Sequence, residues 1–223
     1  MTYFHPQKNS KGEPVEIRSP HEPSSLDDWA DRTKRATAVP GCGMPASICG
    51  IPVSTSPTPY ETDADWDRLA KPASFDEPPF HVRPGMKPAS GAVVIEADGR
   101  VWVVSPSNQF AGYSNTFPKG SVPASKGTSL RANAIKEVYE ESGLLVELIG
   151  FLADSERTMT TTRYYLGRRI GGNPADMGWE SQAVHLVPAS QLAEFVNHVN
   201  DGGLIKALGF YLNSDSKLKC NFD

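Results

Sequence analysis

The chain has 223 residues, 39% of them hydrophobic and 22% charged, with a formal net charge of −4. That length suits one domain with a long extension, or one domain and a small one. No apolar run approaches the roughly 18–20 residues a membrane span needs, and the acidic balance argues against a general nucleic-acid surface, which requires a basic patch.

The opening Met1-Thr2-Tyr3-Phe4-His5-Pro6 lacks a positive segment followed by an apolar stretch, which argues against a secretory signal. Cys42, Cys49 and Cys220 make no disulfide framework, and the gap between the first two is not a usual zinc spacing. The five histidines (His5, His21, His81, His185 and His198) do not pair with cysteines at ligand spacing. A reducing cytoplasm is the expected home, with no membrane association.

Residues 1–87 are rich in proline, serine and charge and show little strand alternation, with residues 1–24 reading as a tail. One short helix is predicted from Leu26 to about Ala36, with Asp27 and Asp28 in its first turn, where acids suit the helix dipole. A second follows Thr62 and carries Trp66 and Leu69. From Pro88 the pattern changes. Ala92–Ile95 reads as a buried strand, Asp98-Gly99 as a hairpin turn, and Arg100–Val104 as its return strand. A loop follows to Phe117. Further strands are predicted over Leu144–Phe151, Thr160–Arg169 and Gln182–Val187, then helices through Leu192–Val196 and Leu204–Leu212. Mixed strands and helices predict an α/β (α+β) sandwich.

The chemistry-bearing stretch is Phe117-Pro118-Lys119-Gly120, a loop, and a helix from Ser129 to Gly143. Leu130, Ala134, Ile135 and Val138 form its apolar stripe. Glu137, Glu140 and Glu141 fall elsewhere on the surface, as neighbours at i, i+3 and i+4. Such triplets are more often solvated than functional. Here their mutual repulsion is the kind a hard divalent cation relieves, because Mg²⁺ prefers oxygen ligands. Gly143 suits a left-handed cap.

With these residues in place, the sequence resembles the Nudix hydrolase family. That family's signature is a glycine, five residues, a glutamate, seven residues, then Arg-Glu-aliphatic-x-Glu-Glu-x-Gly-aliphatic. Gly120 stands at the front, and Lys136-Glu137-Val138-Tyr139-Glu140-Glu141-Ser142-Gly143-Leu144 matches the back except at Lys136. The Gly120–Lys136 loop is two residues longer than the family spacing. The first box glutamate is absent, its neighbourhood holding Lys126, Gly127 and Thr128. Lys136 is then free to pair with Glu140.

The resemblance implies a Nudix-type α/β/α sandwich with a mixed sheet over residues 88–223, preceded by an irregular extension over residues 1–87. It implies Mg²⁺ (or Mn²⁺) held by Glu137 and Glu141, with Glu140 assisting and the Gly120 carbonyl as a further ligand. The implied reaction is hydrolysis of a phosphoanhydride in a nucleoside diphosphate linked to another moiety: ADP-ribose, a dinucleoside polyphosphate or a nucleotide sugar. The general base is either a box glutamate or a later carboxylate. Glu180, just before a strand, is the candidate outside the box. Lys119, Arg157 and Arg163 are candidate phosphate contacts, with Tyr165 beside Arg163 on one strand face to stack a base. Phe110, Tyr113 and Trp179 are further candidates for a base pocket. The altered box leaves open a catalytically weak nucleotide-binding sensor. The basic residues Lys119, Lys126, Arg131, Arg157, Arg163, Arg168 and Arg169 leave open an inositol pyrophosphate hydrolase. Residues 1–87 lie outside the resemblance, and would cover the sheet, close the site or form a homodimer interface.

Overall fold

The computed structural model describes residues 2–55, 60, 62–107, 112–123 and 127–219, without the side chains of residues 214–219. Phe110, Lys126 and Cys220 lie outside the described residues. At its centre is a seven-stranded mixed sheet. Its strands are β3 (Ala36–Ala38), β6 (Lys87–Ile95), β7 (Arg100–Pro106), β8 (Lys119–Ser121), β9 (Leu144–Glu156), β10 (Thr160–Gly172) and β11 (Ser181–Pro188). The order is β3-β11-β7-β6-β10-β9, with β8 added against β6. β10 runs parallel to β6 in unbroken register from Thr160↔Lys87 to Arg168↔Ile95, and the other pairings are antiparallel.

Central strands such as β11 are buried on both faces, as expected for a sheet covered by a layer on each side. One apolar cluster joins Val94, Trp102 and Val104 to Ile135 and Val138 of helix α3 (Leu130–Ser142), and to Trp66 of α2 (Asp63–Ala70). The other joins Val93, Val101 and Val103 to Leu192 of the short α4 (Leu192–Phe195), and to Leu204 and Leu208 of α5 (Gly202–Lys219). The result is the expected mixed α/β/α sandwich. Among the described residues no helix is long and apolar enough to cross a membrane.

Helix α3 forms where its local signals put it. The Ser129 hydroxyl accepts the Ala132 N–H at 3.1 Å, capping the start. Gly143 ends it at φ 69°, and a Cβ there would collide with the Asn173 carbonyl. Helix α2 starts with a capping box in which Thr62 and Asp65 satisfy each other's backbone N–H groups.

The N-terminal region departs from expectation. Residues 3–17 form a hairpin, β1 (Tyr3–Lys8) with β2 (Pro14–Ile17). Its turn is held by Asn9, whose side chain accepts the Lys11 and Glu13 N–H groups at 2.9 Å each. The first helix, α1 (Leu26–Ala30), stops well short of Ala36. The Asp31 carboxylate captures the Thr33 N–H and hydroxyl, and Ala36–Ala38 leave to pair with β11. The segment is an integral layer, with Trp29, Ile48 and Trp66 in the first apolar cluster. A short pair of strands, β4 (Ser47–Ile48) and β5 (Ile51–Pro52), completes it. The predicted helix through Leu192–Val196 is split into a 3₁₀ turn at Ala189–Gln191 and the four residues of α4.

Candidate active site

Asn133, Glu137 and Glu141 recur every four residues and share one face of α3. That face meets β6 and β8. Asn133, fully buried, donates to the Ser90 hydroxyl at 3.0 Å and the Gly120 carbonyl at 3.2 Å. The Glu137 carboxylate lies directly on Gly120, in the volume a Cβ would fill, so any larger residue at position 120 would displace it. Glu141 accepts the Lys119 backbone N–H at 3.3 Å. Three consecutive turns of α3 therefore hold the Lys119-Gly120 strand.

Glu137 and Glu141 are 8% and 9% exposed. Burial pushes the Glu137 carboxyl up to about 7, with Lys136 and Lys119 opposing the rise and Glu140 and Glu180 adding to it. Burial pushes Glu141 up to about 8, against the pull of Lys119 and with further push from Glu137 and Glu180. Neither carboxylate is fully neutralised by the protein. Glu140 is exposed and bonds Lys136 at 2.8 Å, the i, i+4 pairing anticipated from the changed box.

A cleft of about 350 Å³ opens above β8. Lys119, Gly120, Glu141, Arg157 and Glu180 line it, with Tyr113, Met159 and Trp179 as its apolar wall. Glu180 stands at the mouth. Partial loss of water, then Glu140, raises its carboxyl above the usual range. Arg157 is 6% exposed and donates to Tyr113 at 2.9 Å, to Tyr164 at 2.7 Å and to Asp201. Burial opposes its charge, but Tyr164, Asp201 and Tyr113 outweigh burial and hold the guanidinium firmly ionised. The Tyr113 ring stacks on His198 at 3.7 Å between centroids.

Arg163 and Tyr165 do share a strand face, but that face is turned to the N-terminal segment rather than the cleft. Arg163 makes a two-pronged bond to Asp154 at 2.8 Å and reaches Glu77 and the Pro78 carbonyl. The Tyr165 hydroxyl donates to Glu77 at 2.8 Å. Both side chains pack against residues 75–80, and neither lines the cleft. The structure thus brings together Gly120, Glu137, Glu141, Lys119, Arg157 and Glu180. It leaves Glu140 outside on the exposed flank and Arg163 and Tyr165 in a structural cluster.

Among the described residues no three His, Cys, Asp or Glu side chains are arranged to hold a metal ion by themselves. The donor set still fits Mg²⁺, which characteristically takes one or two carboxylates and completes its shell with water and substrate phosphates. Two buried, incompletely neutralised carboxylates flank the Gly120 backbone, whose carbonyl is held in place by Asn133. Sequence reasoning missed Asn133 and Asp201. Asn133 was detectable as a polar residue exactly one helical repeat before Glu137. Asp201 carries no local signal, because its role depends on Arg157, 44 residues away.

A sequence model described as the NUDIX domain matches residues 85–208. An RNA pyrophosphohydrolase of Caulobacter vibrioides (strain NA1000 / CB15N) is 34% identical over 101 residues, covering 44% of this chain and 54% of that protein. The chain thus spans about half the length of the curated relatives it matches. Among solved structures, a C. elegans Ap4A hydrolase binary complex aligns with a TM-score of 0.47 and 19% identity, over 58% of this chain and 99% of that one. An ADP-ribose pyrophosphatase from Streptococcus suis 89-1591 aligns with a TM-score of 0.39 and 23% identity, over 47% and 75%.

Proposed function

Because the chain belongs to the NUDIX domain family, we propose that it is a Mg²⁺-dependent hydrolase of a phosphoanhydride bond in a nucleoside diphosphate linked to a second group. The observation that carries this reading is the pair Glu137 and Glu141: two buried carboxylates, one turn apart, with Glu141 lining the cleft and Glu137 against Gly120 beside it. Glu137, Glu141 and the Gly120 carbonyl would hold the ion, with Mn²⁺ an acceptable substitute. When bound, the ion supplies charge neutralisation and activation of water.

The chain's own residues supply the rest. Lys119 brings a cation to the same cleft as the carboxylates, where it counters phosphate charge. Arg157, paired with Asp201 and bonded to Tyr113 and Tyr164, fixes the wall of the cleft. Trp179, Tyr113 and Met159 form the apolar side, which would suit a nucleobase. Glu180, at the mouth with a carboxyl raised above its usual range, would take a proton from the attacking water. Asn133 positions the Gly120 carbonyl.

The test is product release from ADP-ribose, a dinucleoside polyphosphate, a nucleotide sugar and an RNA with a terminal pyrophosphate, with and without Mg²⁺. The native chain should cleave one class only with metal. Glu141→Gln should be slower by roughly 100-fold or more, and Glu180→Gln should lower kcat with metal affinity unchanged. Tight binding without turnover of any compound would reject the hydrolase in favour of a sensor.

A further inference from the structure

A second cavity, of about 530 Å³, opens beside β11 and is distinct from the catalytic cleft. Its floor is formed by the buried Ser105, Gln182 and His185, and its rim by the exposed Ser19, Arg35 and Ser114. Among the described residues no acidic one lines it.

The hydrogen bonds of the floor can be followed proton by proton. Asn115 donates its amide N–H to the Phe195 carbonyl at 3.0 Å, which fixes its oxygen as the acceptor of the Ser105 hydroxyl at 2.6 Å. The Ser105 oxygen must then accept from His185 Nε2 at 2.8 Å, and His185 Nδ1 accepts from the Thr37 hydroxyl at 2.9 Å. Burial pushes the His185 imidazole down to about 3, with Arg35 adding to the effect, so the ring is neutral. Gln182 is used as well: its oxygen takes the Arg18 and Ser19 N–H groups, and its nitrogen donates to the Pro106 carbonyl.

The floor is therefore neutral and internally bonded. What remains for a ligand is on the rim: the Ser19 and Ser114 hydroxyls and the Arg35 guanidinium. Arg35 has no ion-pair partner among the described residues and lies 4.8 Å over the Phe195 ring, which orients it at the cavity. A fork of unpaired N–H donors with flanking hydroxyls and no nearby carboxylate in the lining suits a phosphate group. The Phe195 ring is already engaged by Arg35 and, at 4.9 Å, by His185, so it is not open to sandwich a base. The exposed Ser19 and Ser114 hydroxyls on the same rim suit a polar body such as a sugar.

We propose that this cavity is a second ligand site that binds a small sugar phosphate, with the phosphate on Arg35 and the sugar over the Ser105–His185 floor. The strands that carry the floor also send Pro106 and Ser181, the residues next to Ser105 and Gln182, into the wall of the catalytic cleft. An occupant therefore sits one residue from that wall on each strand.

The experiment is a titration of the full chain with ribose 5-phosphate, followed through the His185 imidazole signals by NMR, with ribose as the uncharged control. The expected result is a saturable shift that ribose does not reproduce. Arg35→Gln should weaken it at least about tenfold, and Lys119→Ala, altered in the first cleft, should leave it intact. Absence of a shift up to millimolar ligand, an equal response to ribose, or an undiminished response in Arg35→Gln would overturn the proposal. So would loss of the shift in Lys119→Ala, which would assign the ligand to the catalytic cleft.

Discussion

The molecule buries charge in two ways, and the contrast separates architecture from chemistry. On the side of the N-terminal segment, every buried arginine is saturated. Arg169 pairs with Glu96 and donates to the carbonyls of Ile48, Ile51 and Pro52. Arg100 pairs with Asp98 and gathers the carbonyls of Asp28, Trp29 and Asp31. Arg163 is held by Asp154, Glu77 and Pro78. On the cleft side, Glu137 and Glu141 are nearly as deep, yet burial lifts both carboxyls far above their usual range, against the weaker pull of Lys119 on both and of Lys136, 3.8 Å from Glu137. Buried charge with all its partners holds the chain together. Buried charge without them is held ready for something from outside.

The sharpest way to break that contrast is to damage the saturated side. Arg169→Met leaves Glu96 buried with only Trp102 as a side-chain partner, and detaches residues 48–52. It should cost about 3–5 kcal/mol, or a Tm lower by about 10 °C, measured by thermal unfolding. The proposed hydrolytic activity should survive at low temperature, because Arg169 does not line the cleft.

The opposite side should respond in the opposite sense. Carboxyls raised to about 7 and 8 stabilise the metal-free fold below their unfolded pKa near 4.5, and that contribution is lost as pH rises through the folded values. Metal-free protein should therefore lose Tm progressively between about pH 4.5 and 8. Mg²⁺ should restore it, and Glu141→Gln should flatten the fall. His185 is depressed, so its effect runs the other way and is essentially complete above its unfolded value near 6.5. The difference between native and variant curves removes it. A parallel pair of curves would show that Glu141 is already neutralised.

The smallest effect lies on the exposed flank. Lys136→Ala removes the surface pair with Glu140, worth a few tenths of a kcal/mol in stability. It also removes the cation nearest Glu137, so metal affinity should rise rather than fall if the carboxylate is a ligand. Isothermal titration with Mg²⁺ reads the sign.

What was legible in the sequence was what is decided locally. Helix α3 announced itself through Ser129, Gly143 and an apolar stripe, and the β6–β7 hairpin through Asp98-Gly99. The early end of α1 was not legible, because Arg100 collects its last carbonyls from about 70 residues away and β11 draws off the three residues that follow. The basic and aromatic face of β10 was read correctly as a face. Its partner, Glu77, lies 86 residues before Arg163 and 88 before Tyr165, so nothing near the strand showed that it was already covered. Asn133 was within reach of the helical repeat. The second cavity was not, since Arg35, Ser105 and His185 meet only in the folded sheet.

The strand at Ala36–Ala38 carries a consequence for how the chain is made. Thr37 bonds His185 across 148 residues, and the sheet edge that β3 occupies is supplied by β11. During synthesis these residues leave the ribosome long before their place exists. Trp29 and Trp66, both deep in the finished core, must wait for their ring partners Trp102 and Tyr139, each more than 70 residues later in the chain. A nascent chain halted before β11 should thus hold β3 unpaired and Thr37 without His185.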